Sequence, residues 1–216
     1  MSIRTTVFVK GEYYHIFNHG VEKRTIFEEE QDMHYFLDRM QDFNVAEAIG
    51  GKYVQNLKKN QYRGKASILV EIVAYCLLPN HFHLILKPVV DNGVSQFMHK
   101  ICTGYVMYFN KRYARNGALF QGKFKANRLD GDEALAFLSV YVNLNFKHHK
   151  LDPERYLIRS SFKEYLHPEN PSICNVKIIK DIVHECGGVE QYRKYAKQQS
   201  QYFLEQKEAI KQLAEL

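Results

Sequence analysis

The stretch ILVEIVAYCLLPNHFHLILKP, residues 68–88, decides the fold. Two apolar runs rich in branched side chains flank Pro79-Asn80, so it reads as two strands joined by a tight turn. Strand side chains alternate between faces. His81, His83, Ile85 and Lys87 therefore share one face, and Phe82, Leu84 and Leu86 share the other. The apolar set packs into a core and leaves two imidazoles side by side on the opposite surface. Such a pair is either the polarity of a solvated face or one edge of a metal site.

Outward from the hairpin, strand and helix patterns alternate. EYYHIFNHG (12–20) reads as a first strand ended at Gly20. EEEQDMHYFLDRMQDFNVAEA (28–48) reads as a helix, with an acidic start and with Met33, Phe36, Leu37, Met40 and Phe43 at helical spacing. Residues 50–67 are polar and basic and read as a loop or mobile insertion. A long helix, VSQFMHKICTGYVMYFNKRYAR (94–115), stops at Asn116-Gly117, and ALFQGKFKANRL (118–129) is a short basic strand or extended loop. DGDEALAFLSVYVNLNFKHHK (130–150) reads as one helix, with Asp130 as N-cap and Glu133 completing a capping box. Beyond Pro153 the pattern is irregular until a helix near 176–186 and a polar one from Val189. The order predicts an α+β fold, helices packed on an antiparallel sheet.

Composition narrows the partner. The chain has 216 residues, a formal charge of +6, and 15 Tyr and 14 Phe with no Trp. One compact domain fits this length, and the positive charge favours a polyanion such as nucleic acid. Cys76, Cys102, Cys174 and Cys186 form no CxxC pair, which excludes a zinc framework and a disulfide scaffold and points to a reducing cytoplasm. The opening MSIRTTVFVKGEYYHIF lacks a long apolar core with a cleavage site. No run approaches the roughly 18 apolar residues of a membrane span, so no membrane partner is expected.

Tyr141 and Asn145, in SVYVNLNF, are four apart and so lie one above the other on the same helical face. If that face looks across at His81 and His83, two imidazoles, an amide oxygen and a phenol converge. Two imidazoles and an oxygen can hold a divalent ion and leave positions open for a phosphate. The phenol, with an ordinary pKa of about 10, becomes a candidate nucleophile toward a polarised phosphodiester. Each part also has a bland reading: surface histidines, a tyrosine filling a core, an asparagine near a helix end.

LLPNHFHLIL, read with FQGKFKANRL, YVNLNF and the opening YYHIFNHGVEKRTIFEEEQDMHYFL, resembles the HUH single-strand tyrosine transposases, in particular the REP-associated tyrosine transposases. The resemblance spans about residues 12–165. It implies a ferredoxin-like catalytic core at 1–165, followed by a helical C-terminal extension at 166–216. It also implies cutting and rejoining of single-stranded DNA that carries hairpins, REP-like or at element ends. Tyr141 matches the nucleophile that takes the 5′ phosphate, His81 and His83 the metal pair, and Asn145 a polar third ligand for Mg²⁺ or Mn²⁺. The family usually has histidine and proline where this chain has Asn143 and Phe146, and arginine where it has His19. Loss of the proline predicts that the helix continues past Leu144.

The expected DNA contacts are Lys111, Arg112, Tyr113, Arg115, Lys123, Lys125, Arg128 and Lys147, which flank Tyr141 in sequence. Tyr113 is the candidate stacking platform, and Lys58, Lys59, Arg63 and Lys65 form a second basic group. Two other readings share the motifs: a hairpin-binding protein without catalysis, and a metal-dependent phosphodiesterase using water. Related enzymes act as monomers or as homodimers. The tail helix could pack on the core, pair with another copy or help hold a hairpin.

Overall fold

A computed structural model of the chain describes residues 7–46, 67–129 and 133–214. The central hairpin forms as its sequence dictates. β2 (Val70–Leu78) and β3 (His81–Pro88) are antiparallel, joined by the two-residue turn Pro79-Asn80, with Leu78 paired to His81. The register shifts between Ile72 and Ala74, and the carbonyl of the extra residue, Val73, accepts a hydrogen bond from the Tyr165 hydroxyl at 2.9 Å. The bulge is thus paired from outside the sheet.

β1 (Tyr14–His19) runs antiparallel to β3 on its other edge, with Phe17 opposite His83 and His19 opposite His81. β4 (Lys125–Arg128) flanks β1, and β5 (Arg159–Ser160) flanks β2, giving the sheet order β4-β1-β3-β2-β5. With α1 (Glu30–Asp42) between β1 and β2, and α2 (Gly93–Arg112) between β3 and β4, these six elements follow the β-α-β-β-α-β order of a ferredoxin-like sheet.

Each sheet face is covered by its own helices. Tyr14, Ile16, Phe82, Leu84 and Leu86 are fully buried beneath α1 and α2, where Phe36 packs 5.3 Å from Phe82. The histidine face lies under α3 (Glu133–Asn143) and α4 (Asn145–His148). His81 and His83 are only 4% and 5% exposed, so the reading of a solvated histidine face is set aside. α5 (Phe162–Leu166), α6 (Val176–Glu185) and α7 (Val189–Ala214) complete that layer. Tyr165 and Tyr192 stack at 5.1 Å within the same core, so the tail helix packs on the body of the protein. Among the described residues no helix is long and apolar enough to cross a membrane.

Three boundaries depart from the sequence pattern. α1 stops at Asp42, before the expected 48, because Asn44 is used elsewhere: its side chain accepts from Leu69 N and Val70 N and donates to Val70 O. α2 stops at Arg112, and Ala114 takes a left-handed φ of 49° just beyond it. The helix expected over 130–150 breaks at Leu144 (φ −108°, ψ 19°) in spite of the missing proline. Asn143 is fully buried and held by the Ser161 hydroxyl at 2.6 Å, while the backbone N–H groups of Asn145 and Phe146 face the Cys76 thiol. Those partners end one helix and start the next. The expected loop at 50–67 lies, but for Ser67, outside the described residues, as do Lys58, Lys59, Arg63, Lys65 and the Asp130 cap.

Gly20 ends β1 where three segments meet: its N–H bonds Asn80 O, and a Cβ there would lie 2.0 Å from the Arg24 carbonyl oxygen. Its φ of −62° suits any residue, so the demand is for space alone. Gly20→Ala is expected to destabilise the fold by about 2–3 kcal/mol in urea unfolding. A change within about 0.5 kcal/mol would contradict this packing.

Candidate active site

β1 and β3 place His15, Phe17 and His19 beside His81 and His83 on one sheet face, and α3 lowers Tyr141 onto them. The Tyr141 ring stands edge-on to His83 at 6.1 Å and to His15 at 5.8 Å. His148 of α4 stacks on Tyr141 at 5.1 Å, His149 meets His81 at 4.7 Å, and His19 lies parallel to His81 at 4.9 Å. Phe203 of α7 closes over Tyr141 at 5.0 Å. All of these residues except His81, with Asn127 and Phe137, line a cavity of about 700 Å³. A larger groove of about 910 Å³, lined by Tyr35, Met107 and Tyr108 among others, lies on the opposite layer between α1 and α2 and holds none of this chemistry.

Burial favours the neutral form of His15, His83 and His19. It lowers His15 to about 4. It takes His83 well below the usual histidine value, with His15, His81, His149 and His19 adding to the effect. His19 is lowered by burial and then by Lys125. Neutral imidazole is the form that coordinates metal ions.

The donor types are ones that a divalent cation would accept. His15 Nε2 lies 2.8 Å from His83 Nδ1, and His83 Nε2 is buried with no hydrogen-bond partner. Both polar side-chain atoms of Asn145 are likewise buried without a partner, in a residue that is 0% exposed. Unmatched buried polar atoms are rare enough to require a reason, and a bound ion would supply one. Asn145 opens α4 over Cys76, the β2 partner of His83. Among the described residues no three His, Cys, Asp or Glu side chains are grouped to hold an ion.

The expected residues divide by layer. His83 and Tyr141 share the cavity, and His81 adjoins it through His83 at 5.2 Å. Asn145 does not line the cavity, and the break at Leu144 removes the single helical face that was to align it with Tyr141. Lys125 is exposed on the histidine side, 5.9 Å from the Phe17 ring, and Lys147 is exposed on α4. Lys123 borders a separate pocket with Asn18 and Phe124, and Arg128 pairs with Glu12 at 3.3 Å. Lys111, Arg112, Tyr113 and Arg115 sit at the end of α2 on the far layer. There the Tyr113 hydroxyl donates to Asp32 at 2.7 Å and Arg112 pairs with Glu29 at 2.6 Å. Tyr113 is a brace between α1 and α2 more than an open stacking platform.

Sequence reasoning missed His15, His148, His149 and Phe203 as site residues. His15 carried a signal, since HIFNH on β1 sets two histidines on one strand face, as HFH does on β3. Phe203 carried none, lying 62 positions beyond Tyr141.

The family model described as Transposase IS200 like matches residues 9–145, a span that reaches from just before β1 to Asn145. Among solved structures, one of a REP-associated tyrosine transposase bound to a REP hairpin matches with a TM-score of 0.52. The match covers 80% of this chain and 90% of that one at 16% identity, and shows a shared fold. No curated protein matches the sequence.

The depressed histidines make stability depend on pH. Unfolding returns them to about 6.5, so the unfolded chain binds more protons below that value. In chelator, stability is therefore expected to be level above about pH 7.5. It should fall below about pH 6.5 by roughly 1.4 kcal/mol per pH unit for each of the buried pair His15 and His83, the fall due to His15 being complete by about 4. Urea unfolding at pH 7.5, 6.5 and 5.5 checks this; equal stability at all three would contradict it.

Proposed function

The chain belongs to the IS200-like transposases, and on that premise we propose that it cuts and rejoins single-stranded, hairpin-bearing DNA by way of a phosphodiester link to Tyr141. The observation that carries this reading is the seat of Tyr141, edge-on to His83 inside a histidine-lined cavity. In the cutting step the Tyr141 oxygen attacks phosphorus. The new P–O bond forms as the bond to O3′ breaks, the strand keeps its 5′ phosphate on the tyrosine, and the phenolic proton passes to solvent while O3′ takes one from solvent and leaves as a hydroxyl. Return attack by a 3′ hydroxyl reverses these changes and rejoins the strand.

His81, His83 and Asn145 are the proposed holders of Mg²⁺ or Mn²⁺; when bound, the ion supplies Lewis-acid stabilisation of charge on the phosphate oxygens. His148 and Phe203 fix the plane of the Tyr141 ring and limit water around it. Lys125 and Lys147 are the proposed phosphate contacts nearest the tyrosine, and Lys123, Arg128 and the basic end of α2 extend the track. Residues 1–165 are proposed as the catalytic unit, with 166–216 as a helical extension that reaches back to it through Phe203.

Single-stranded DNA copied from the flanks of the gene, end-labelled and incubated with protein and Mn²⁺ or Mg²⁺, tests the reading on a denaturing protein gel. Wild type is expected to give a labelled, shifted band. Tyr141→Phe should lose that band and at least about a thousandfold in cleavage, while DNA binding persists. Cleavage without a band in wild type would indicate water as nucleophile; binding without cleavage would indicate a hairpin-binding protein.

A further inference from the structure

Resting on the reading that His81 and His83 hold a divalent ion, we propose that His15 is a positioning residue that fixes His83 in the tautomer whose Nε2 keeps its lone pair for that ion. The register sets the contact. Phe17 lies opposite His83, so His15 is its diagonal neighbour on the same face. The His15 and His83 rings are 5.1 Å apart with planes 17° from parallel, and the shared contact is 2.8 Å. Phe17 at 5.1 Å and Tyr141 at 5.8 Å wall the His15 ring so that it cannot swing away.

Two neutral imidazoles in this contact share one proton, which leaves two arrangements. If His15 Nε2–H donates, His83 must carry its own proton on Nε2, a buried atom with no acceptor. A buried, unanswered N–H is costly. If instead His83 Nδ1–H donates to His15 Nε2, the buried Nε2 of His83 carries a lone pair, which an ion can take. The second arrangement is the one this geometry supports.

His81 repeats the device with a different partner. Its Nδ1 lies 2.6 Å from Asn80 Oδ1, while Asn80 Nδ2 donates to Lys23 O at 3.3 Å. With the amide oriented by Lys23, its oxygen can only accept, so in a neutral His81 ring Nδ1 carries the proton and Nε2 the lone pair. Asn80 belongs to the turn that makes the hairpin, and His15 to the strand that pairs with it. Each proposed ligand is thereby oriented by a neighbour that backbone pairing places beside it, as outer-shell partners orient metal-bound histidines generally.

The test uses the full chain. Two-bond ¹H–¹⁵N correlation spectra of the metal-free wild type report the tautomer directly. His83 is expected as Nδ1–H, and finding it as Nε2–H would overturn the proposal without recourse to any variant. Calorimetric titration with Mn²⁺ gives the second readout. His15→Leu is expected to weaken binding about 10- to 100-fold. His15→Gln, whose amide oxygen reaches the same point, should recover most of that loss. His83→Ala separates the two ideas. If it leaves Mn²⁺ affinity unchanged, the metal reading fails and the proposal with it. If it abolishes binding while His15→Leu does not weaken it, the metal reading stands and the role of His15 fails.

Discussion

The pairing register of β3 is the constraint on which the rest depends. Phe82, Leu84 and Leu86 face the α1–α2 layer, and His81 and His83 face α3 and α4. A slip of one residue would exchange these sets. It would remove three large apolar side chains from the core at roughly 1.5–3 kcal/mol each, a loss comparable with the whole stability of a domain. The two-residue turn at Pro79-Asn80 and the Val73 bulge, held by Tyr165, fix that register from both ends. The chemistry of the site therefore rests on apolar packing that contains none of it.

The second requirement is to hold Tyr141 over the histidines. A buried polar chain does this from the flank of α3. Ser139 and Tyr192 contact at 3.0 Å, Asn143 reaches Tyr192 at 3.4 Å, and the Ser161 hydroxyl joins Asn143 to the β2 backbone at Tyr75. Because these groups are buried and matched, the helix has one favourable seat on the sheet. The tail helix is part of the same arrangement, since it supplies both Tyr192 and Phe203.

The fold was legible where its signals are local. The period-two alternation of the hairpin, the helical spacing of Met33, Phe36 and Met40, and the turn residues at 79–80 each settle an element without outside help. What was not legible depends on which elements meet. His15 becomes a site residue only once β1 pairs with β3. Tyr113 looked available for stacking until α1 brought Asp32 to it across 81 positions. The helix through Tyr141 read as continuous because its own sequence favours that. The break at Leu144 is set by Ser161 and Cys76, which lie elsewhere in the chain.

The central claim is that a strand of DNA becomes joined to one particular oxygen. Mass spectrometry tests this most directly. The protein would be incubated with a hairpin-bearing single strand and Mn²⁺, denatured, digested with nuclease and then with trypsin, and its peptides sequenced. The account predicts a nucleotide mass carried through a 5′ phosphate on Tyr141 and on no other residue. A nucleotide on a different side chain, or cleaved DNA with Tyr141 unmodified throughout, would contradict it.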